Sequence, residues 1–226
     1  MAAQRRRRIQ IWTLIGVGVL VLGVVGVVVV RSNASATAAA SPGASTASAD
    51  PSATATVPDA SLAENRTWTG TITLSQGTLD ISLDGAAAPQ AVANFTQLAA
   101  QGFFDGTTCH RLDTSIKILQ CGDPTATGTG GPGYTFGPIE NAPTDGVYPA
   151  GTIAMARQSD NAASQGSQFF IVYEDTTISA DTAGGYTVIG QVTSGLDVVQ
   201  SIAAAGTASG SQTPASPVTI ENVETK

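Results

Sequence analysis

Polar and apolar residues alternate on both sides of Ser75-Gln76-Gly77, with Trp68, Ile72 and Leu74 before it and Leu79, Ile81 and Leu83 after it. A period of two puts every second side chain on one face of a strand, so 67–74 and 77–83 are expected to form a hairpin with one buried face. The period then changes. From Pro89, which a first helical turn tolerates, Val92, Phe95, Leu98 and Ala99 recur at helical spacing until Gly102, predicting an amphipathic helix. Two short apolar runs follow, 109–112 and 116–119, separated by Asp113-Thr114-Ser115; they read as a second hairpin. Residues 127–137 are rich in glycine and read as a long ordered surface loop. Runs 151–156 and 167–173 are strand-like, and the polar connection 157–166 between them suits the lining of a groove. Residues 186–189 form another strand, Leu196, Val199, Ile202 and Ala203 a second helix, and 217–223 a last strand. Many short strands with two separated helices do not alternate as βαβ units. The pattern predicts a mainly β domain, an antiparallel barrel or sandwich with helices over its open ends.

The chain before these elements is of another kind. Arg5 to Arg8 precede an almost uncharged apolar run, 9–30, that ends at Arg31. The run meets the roughly 20-residue length of a transmembrane helix and exceeds the ~7–15 apolar residues of a cleaved signal. Residues 1–8 are therefore expected to be a basic cytoplasmic N-terminus and 9–30 a transmembrane helix. The positive-inside rule then places the rest of the chain outside the cytoplasmic membrane. The rival is a signal peptide cut near Asn33-Ala34-Ser35-Ala36. Residues 31–60 are mostly Ala, Ser, Thr and Pro, with too little large apolar surface to offset ordering entropy. They are expected to be a disordered linker reaching on the order of 30 Å. Residues 61–226 suffice for one hydrophobic core, and the domain is expected to be monomeric.

Charge narrows the function classes. Residues 61–226 hold five basic side chains, Arg66, Arg111, Lys117, Arg157 and Lys226, against fifteen Asp and Glu. That balance argues against nucleic acid and against docking on anionic lipid. It also makes Arg111 conspicuous, because a charge on a half-apolar strand costs several kcal/mol unless it has a partner. The single histidine, His110, and two cysteines cannot complete a four-ligand zinc site without carboxylates, so no metal is expected. No Gly-x-Ser-x-Gly elbow accompanies His110, which reads as a structural residue. Gly128, Gly130 and Gly133 match G-x-G-x-x-G, but Pro132 lies inside the match and no crossover helix follows, so a dinucleotide site is rejected. Cys109 and Cys121 lie at the outer ends of the second hairpin, where they are either disulfide-bonded or two buried free thiols.

Four motifs in order, Cys109-His110-Arg111, Gln120-Cys121-Gly122-Asp123, Gly128-Thr129-Gly130-Gly131 and Gly166-Ser167-Gln168-Phe169-Phe170-Ile171, resemble the cyclophilin family of peptidyl-prolyl isomerases. The resemblance runs from about Thr67 to the end. It implies a closed eight-stranded antiparallel barrel capped by two α-helices, and a cofactor-free isomerase acting on X-Pro segments of unfolded or exported polypeptides. Arg111 would be the catalytic residue, with Gln120 holding the substrate carbonyl or orienting the guanidinium. Ile118, Phe170 and Ile178 would line the proline slot, with Gln168 and Tyr186 at its margin. Arg157 stands where an asparagine commonly contacts the substrate, although main-chain contacts there could survive the change. Between Arg111 and Gln120 the chain is one residue longer than the commonest pattern. The phenylalanine that usually lines the slot falls at Lys117 or, with the gap moved, at Ile116. Thr177 stands near the place of a tryptophan that in many members contacts cyclosporin, so weak cyclosporin binding is expected. These departures leave a second reading, a catalytically weak proline-binding or chaperone-like module.

Overall fold

A computed structural model describes residues 55–226; the basic N-terminus, the apolar run and most of the expected linker lie outside the described residues. The last residues assigned to the linker belong to the fold. The Pro58 carbonyl accepts a hydrogen bond from Gln90 Nε2 at 2.9 Å, and Asp59 caps a 3₁₀ turn, Ala60–Ala63. No helix among the described residues is long and apolar enough to cross a membrane.

The elements in chain order are β1 (Thr67–Leu74), β2 (Gly77–Asp84), α1 (Pro89–Ala100), β3 (Arg111–Asp113), β4 (Ile118–Cys121), β5 (Val147–Tyr148) and β6 (Thr152–Met155). They continue with β7 (Phe169–Val172), β8 (Thr176–Thr177), β9 (Val188–Ser194), α2 (Leu196–Ala205) and β10 (Ile220–Thr225). Eight strands form one antiparallel sheet in the order β10, β1, β2, β9, β6, β7, β4, β3, while β5 and β8 make a separate two-residue ladder. The expected barrel is among the described residues a half-barrel, since β3 and β10 share no ladder. The Leu112 amide on the β3 edge donates instead to the Gln212 carbonyl, and the segment before β3 joins the β10 end, through the Thr108 bridges to Asp123 and Thr219 and the Cys109 amide on the Val218 carbonyl at 2.8 Å.

The first hairpin keeps the register that the alternation demands, from Thr67↔Asp84 to Leu74↔Gly77. The second is shifted along the chain. Asp113, expected in the turn, closes β3, because its Oδ1 accepts bonds from the Ser115 amide and hydroxyl and so starts the turn after itself. The turn is 114–117, with Lys117 in the left-handed region at φ 57°. Likewise β9 begins at Val188, two residues later than expected, and runs on to Ser194.

Register assigns the sheet its two faces. Leu112 pairs with Leu119, Leu119 with Ile171, and Ile171 with Ile153; all four lie in the main core. Against this face packs α1, where the Phe95 ring meets Phe104 at 5.0 Å and Phe169, edge on, at 5.3 Å. Burial of such aromatic pairs is what fixes a helix on a sheet. The N-cap of α1, Ala88, has no side chain to offer. Glu140 from the long loop supplies the missing acceptors, taking the Gln90 amide at 3.1 Å and the Ala91 amide at 2.9 Å.

Candidate active site

One residue away from the core row lies the opposite face. Arg111 pairs with Gln120, Gln120 with Phe170, and Phe170 with Ala154, so these side chains form a row across four strands. Beside it a second, smaller cluster joins Ile118, Tyr148, Val172 and Ile178, with Ile116, Ala156, Tyr186 and Val188 at its edge. A groove of about 550 Å³ opens on this face, bounded by Arg111 and Gln120 on one side and by Ile116, Ile118, Phe170 and Ile178 on the other. Tyr186 stands at its margin, meeting the Phe170 ring edge on at 5.3 Å. The two residues weighed for the slot in the lengthened turn are placed differently. Ile116 lines the groove, whereas Lys117 pairs with Glu174 at 3.3 Å.

The Arg111 guanidinium is held by three partners. Nε donates to Gln212 Oε1 at 3.0 Å, Nη1 to Gln120 Oε1 at 3.0 Å, and Nη2 to Asp113 Oδ2. Gln120 in turn donates to Gln168 Oε1 at 2.8 Å, and Gln168 to the Gly130 carbonyl at 2.9 Å. Gln120 therefore orients the guanidinium, and Gln168 orients Gln120. Burial works against ionisation of Asp113, but hydrogen bonds from Ser115 and the Arg111 charge outweigh it and hold the carboxyl below its usual range. Sequence reasoning missed Asp113 and Gln212. Asp113 lies two residues from Arg111 on the same strand face, a spacing that could have exposed it. Gln212 lies 101 positions away in a loop without periodicity and gave no signal.

Arg157 borders both this groove and an adjoining cavity of about 620 Å³, yet its donors are turned to the protein. Nε donates to the Gly185 carbonyl at 3.0 Å, Nη1 to Gln158 O at 3.0 Å and Asp181 Oδ2 at 2.8 Å. Nη2 donates to Asp181 Oδ1 at 2.8 Å and Gly184 O at 2.6 Å. All five N–H groups are satisfied, and only 1% of the side chain is exposed. These bonds hold the Asp181 carboxyl far below its ordinary pKa. The side chain thus pins the segment leading to Tyr186, whose ring centroid is 4.8 Å from the guanidinium carbon, and leaves only main-chain groups at 157 for a substrate.

The glycine-rich loop is built around a buried carboxylate. Asp123 accepts from the Thr125 amide at 2.7 Å and hydroxyl at 2.8 Å, and from the Thr127, Gly128 and Gly130 amides at 3.1, 2.6 and 3.1 Å. Burial raises its pKa, but these bonds prevail and hold it at about 2. A Cβ at position 130 would lie 2.0 Å from Asp123 Oδ1, so only glycine fits there. Cys109 and Cys121 are bonded to each other, both fully buried in the main core behind the Arg111–Gln120 pair. Burial holds the pKa of His110 below its usual value, partly offset by the Asp123 charge. No group of three or more potential metal ligands occurs among the described residues.

Comparison with known proteins places this geometry. The model of the cyclophilin type peptidyl-prolyl cis-trans isomerase/CLD family matches residues 69–225. The probable peptidyl-prolyl cis-trans isomerases B of Mycobacterium leprae and Mycobacterium tuberculosis are 42% and 43% identical, over 66% of this chain and 54% and 51% of theirs. The chain thus spans about half the length of these relatives. The peptidyl-prolyl cis-trans isomerase B of Bacillus subtilis is 41% identical over 59% of this chain and 90% of its own. A crystal structure of a cyclophilin type isomerase from Cryptosporidium parvum aligns with a TM-score of 0.60 at 26% identity, covering 71% of this chain and 98% of that one. A second structure of that protein, in the presence of the dipeptide Ala-Pro, aligns at 0.58 with 29% identity, covering 69% of this chain and 96% of that one. The chain belongs to the cyclophilin type peptidyl-prolyl cis-trans isomerases.

Proposed function

We propose that the chain catalyses cis-trans isomerisation of X-Pro bonds in unfolded or exported polypeptides, from a domain tethered outside the cytoplasmic membrane. The isomerase part of this reading rests on one observation. An arginine with three fixed nitrogens, two of its five N–H groups still unassigned, borders the same groove as an apolar slot. The barrier of about 18–20 kcal/mol to rotation comes from amide resonance. As the amide twists, the proline nitrogen becomes pyramidal and regains a lone pair that the planar form lacks. A donor aimed at that nitrogen bonds the twisted state better than the ground state, which is the requirement for catalysis. The slot formed by Ile116, Ile118, Phe170 and Ile178 would take the proline ring and fix the nitrogen near Arg111. A structure of the C. parvum relative was obtained in the presence of the dipeptide Ala-Pro, a peptide of the class proposed here as substrate. The membrane part rests on the Arg5–Arg8 block and the apolar run 9–30.

The second reading, a weakly active proline-binding module, draws support from Ile116 standing where an aromatic is usual. Rates of isomerisation of an X-Pro peptide by the full chain and by Arg111→Ala separate the two. A loss of roughly 10²–10³-fold in kcat, the usual effect of removing one preorganised donor, is the expected result. Equal, near-background rates with peptide binding retained would select the binding module.

A further inference from the structure

Resting on the isomerase reading, we propose that Asp113 and Gln212 are positioning residues for Arg111. The loop between α2 and β10 thereby becomes part of the active site. A guanidinium on a flexible stem is useful as a transition-state donor only when its plane and direction are fixed. Three nitrogens anchored by three different segments achieve this. Gln120 comes from β4, Asp113 from the end of β3, and Gln212 from residues 206–219. With only the first two, the guanidinium could still swing about the line joining its Nη atoms; the bond from Nε removes that freedom.

The clamp is itself braced. Gln212 Nε2 donates to Asp113 Oδ2 at 2.9 Å while its Oε1 accepts from Arg111, so the three side chains close a ring of hydrogen bonds. The main chain carries Gln212 to its place. Its carbonyl takes the Leu112 amide at 2.6 Å, and the loop is folded on itself by Ala208 N to Thr213 O at 2.8 Å and Ala215 N to Gly206 O at 2.9 Å. The two carboxylate oxygens of Asp113 divide their work. Oδ1 serves the turn through Ser115 and Ile116, and Oδ2 serves only Arg111 and Gln212. A purely structural aspartate would need the first set of bonds and not the second. Gln212 is exposed, so burial gives it no core function that would account for this arrangement.

The ring predicts a divided kinetic effect. The donor acts on the twisted amide and not on the planar one, so a loosened Arg111 lowers kcat and leaves KM nearly unchanged. Gln212→Ala in the full chain is expected to lower kcat about tenfold, below the roughly 10²-fold attributed to a 1 Å misplacement. Asp113→Asn, which keeps an acceptor for the turn but offers Arg111 no anion, is expected to lower it further. The deciding measurement is a double-mutant cycle with Arg111→Ala. If Gln212 acts through Arg111, Gln212→Ala has no effect in the Arg111→Ala background. An equal effect in both backgrounds, or an unchanged kcat in Gln212→Ala, would overturn the proposal. The Arg111 Nε–H resonance in ¹⁵N NMR gives a readout that needs no turnover. It should be slow to exchange with solvent in the parent chain and fast in Gln212→Ala, and unchanged exchange would count against the clamp. An inactive parent chain whose resonance behaves as expected would reject the isomerase reading while leaving the positioning intact.

Discussion

Across β3, β4, β7 and β6 two rows of residues lie one position apart in sequence and on opposite faces of the sheet. The inner row, Leu112, Leu119, Ile171 and Ile153, is apolar and at most 1% exposed. The outer row, Arg111, Gln120, Phe170 and Ala154, mixes a charge, an amide, an aromatic ring and a methyl group. The same backbone hydrogen bonds serve both rows, so whatever fixes the inner row in register also aims the outer one. A slip of one residue would exchange them. The site therefore inherits its rigidity from the packing on the far side of its own strands, and its chemistry from polar partners that the core never touches.

The adjacent phenylalanines of β7 test this division most strongly. Phe169 is fully buried against Phe95 and Phe104, and Phe169→Ala is expected to lower stability by about 3–5 kcal/mol, the usual cost of emptying an aromatic site in a core. Phe170 packs in the smaller cluster and lines the groove. The hole left by Phe170→Ala opens to solvent, so the loss of stability should be smaller, while KM rises because the slot loses a wall that holds ground state and transition state alike. Urea unfolding of both variants, with Michaelis curves on an X-Pro peptide, checks the contrast. Equal destabilisation with unchanged KM for Phe170→Ala would show that the outer row is merely more core.

How far each face was legible in the sequence follows from the same distinction. Period-two runs such as Thr67–Leu74 and the helical spacing from Val92 to Ala99 exposed the inner face directly, because burial imposes a period. The outer face has none. Arg111 stood out only because cations are scarce in 61–226, and Gln120, Gln168 and Phe170 were found through motif resemblance. Asp113 reads as turn because it is polar between two apolar runs, whereas its second oxygen is committed to Arg111 and Gln212. The position of Arg157 points to the substrate, yet four of its five donors are taken by Asp181, Gly184 and Gly185 and the fifth by the Gln158 carbonyl. The β5–β8 ladder escaped because two residues cannot display a period. Partners that meet through tertiary structure, Gln212 above all, leave no local trace.

Asp123 is the outer face's counterpart of a core residue, a buried group that organises its surroundings by hydrogen bonds instead of apolar contact. Its pKa is about 2 in the fold against 3.8 ordinarily, so the folded state binds its proton less readily than the unfolded chain does. The resulting stabilisation, about 2 kcal/mol, is complete above pH ~4 and disappears as the pH falls towards 2. Asp123→Asn should therefore be less stable than the parent at neutral pH, and the gap should narrow through that window. A gap that stays constant from pH 5 to pH 2 would mean that the carboxylate's charge contributes nothing. Because the Gly128 and Gly130 amides are among its donors, the variant should also disturb the groove wall that they support.

Glu140 allows a finer separation, since it stabilises the inner face from a loop without touching the groove. Its carboxylate receives the Gln90 and Ala91 amides, and its own amide donates to Thr187 Oγ1 at 2.9 Å. It thereby replaces the cap that Ala88 lacks. Glu140→Ala is expected to cost about 1 kcal/mol, the typical value of an N-terminal cap. In Glu140→Gln an acceptor remains but the charge facing the helix dipole is gone, so roughly the electrostatic share, about 0.3–1 kcal/mol, should be lost. Only that share is screened by salt, so the parent and Glu140→Gln should draw apart in stability as ionic strength is lowered if the dipole matters, and keep a constant difference if hydrogen bonding alone does. In either variant kcat/KM for the peptide should equal that of the parent. A changed value would mean that α1 transmits its position through the sheet to Arg111, and that the two faces are coupled by more than their shared register.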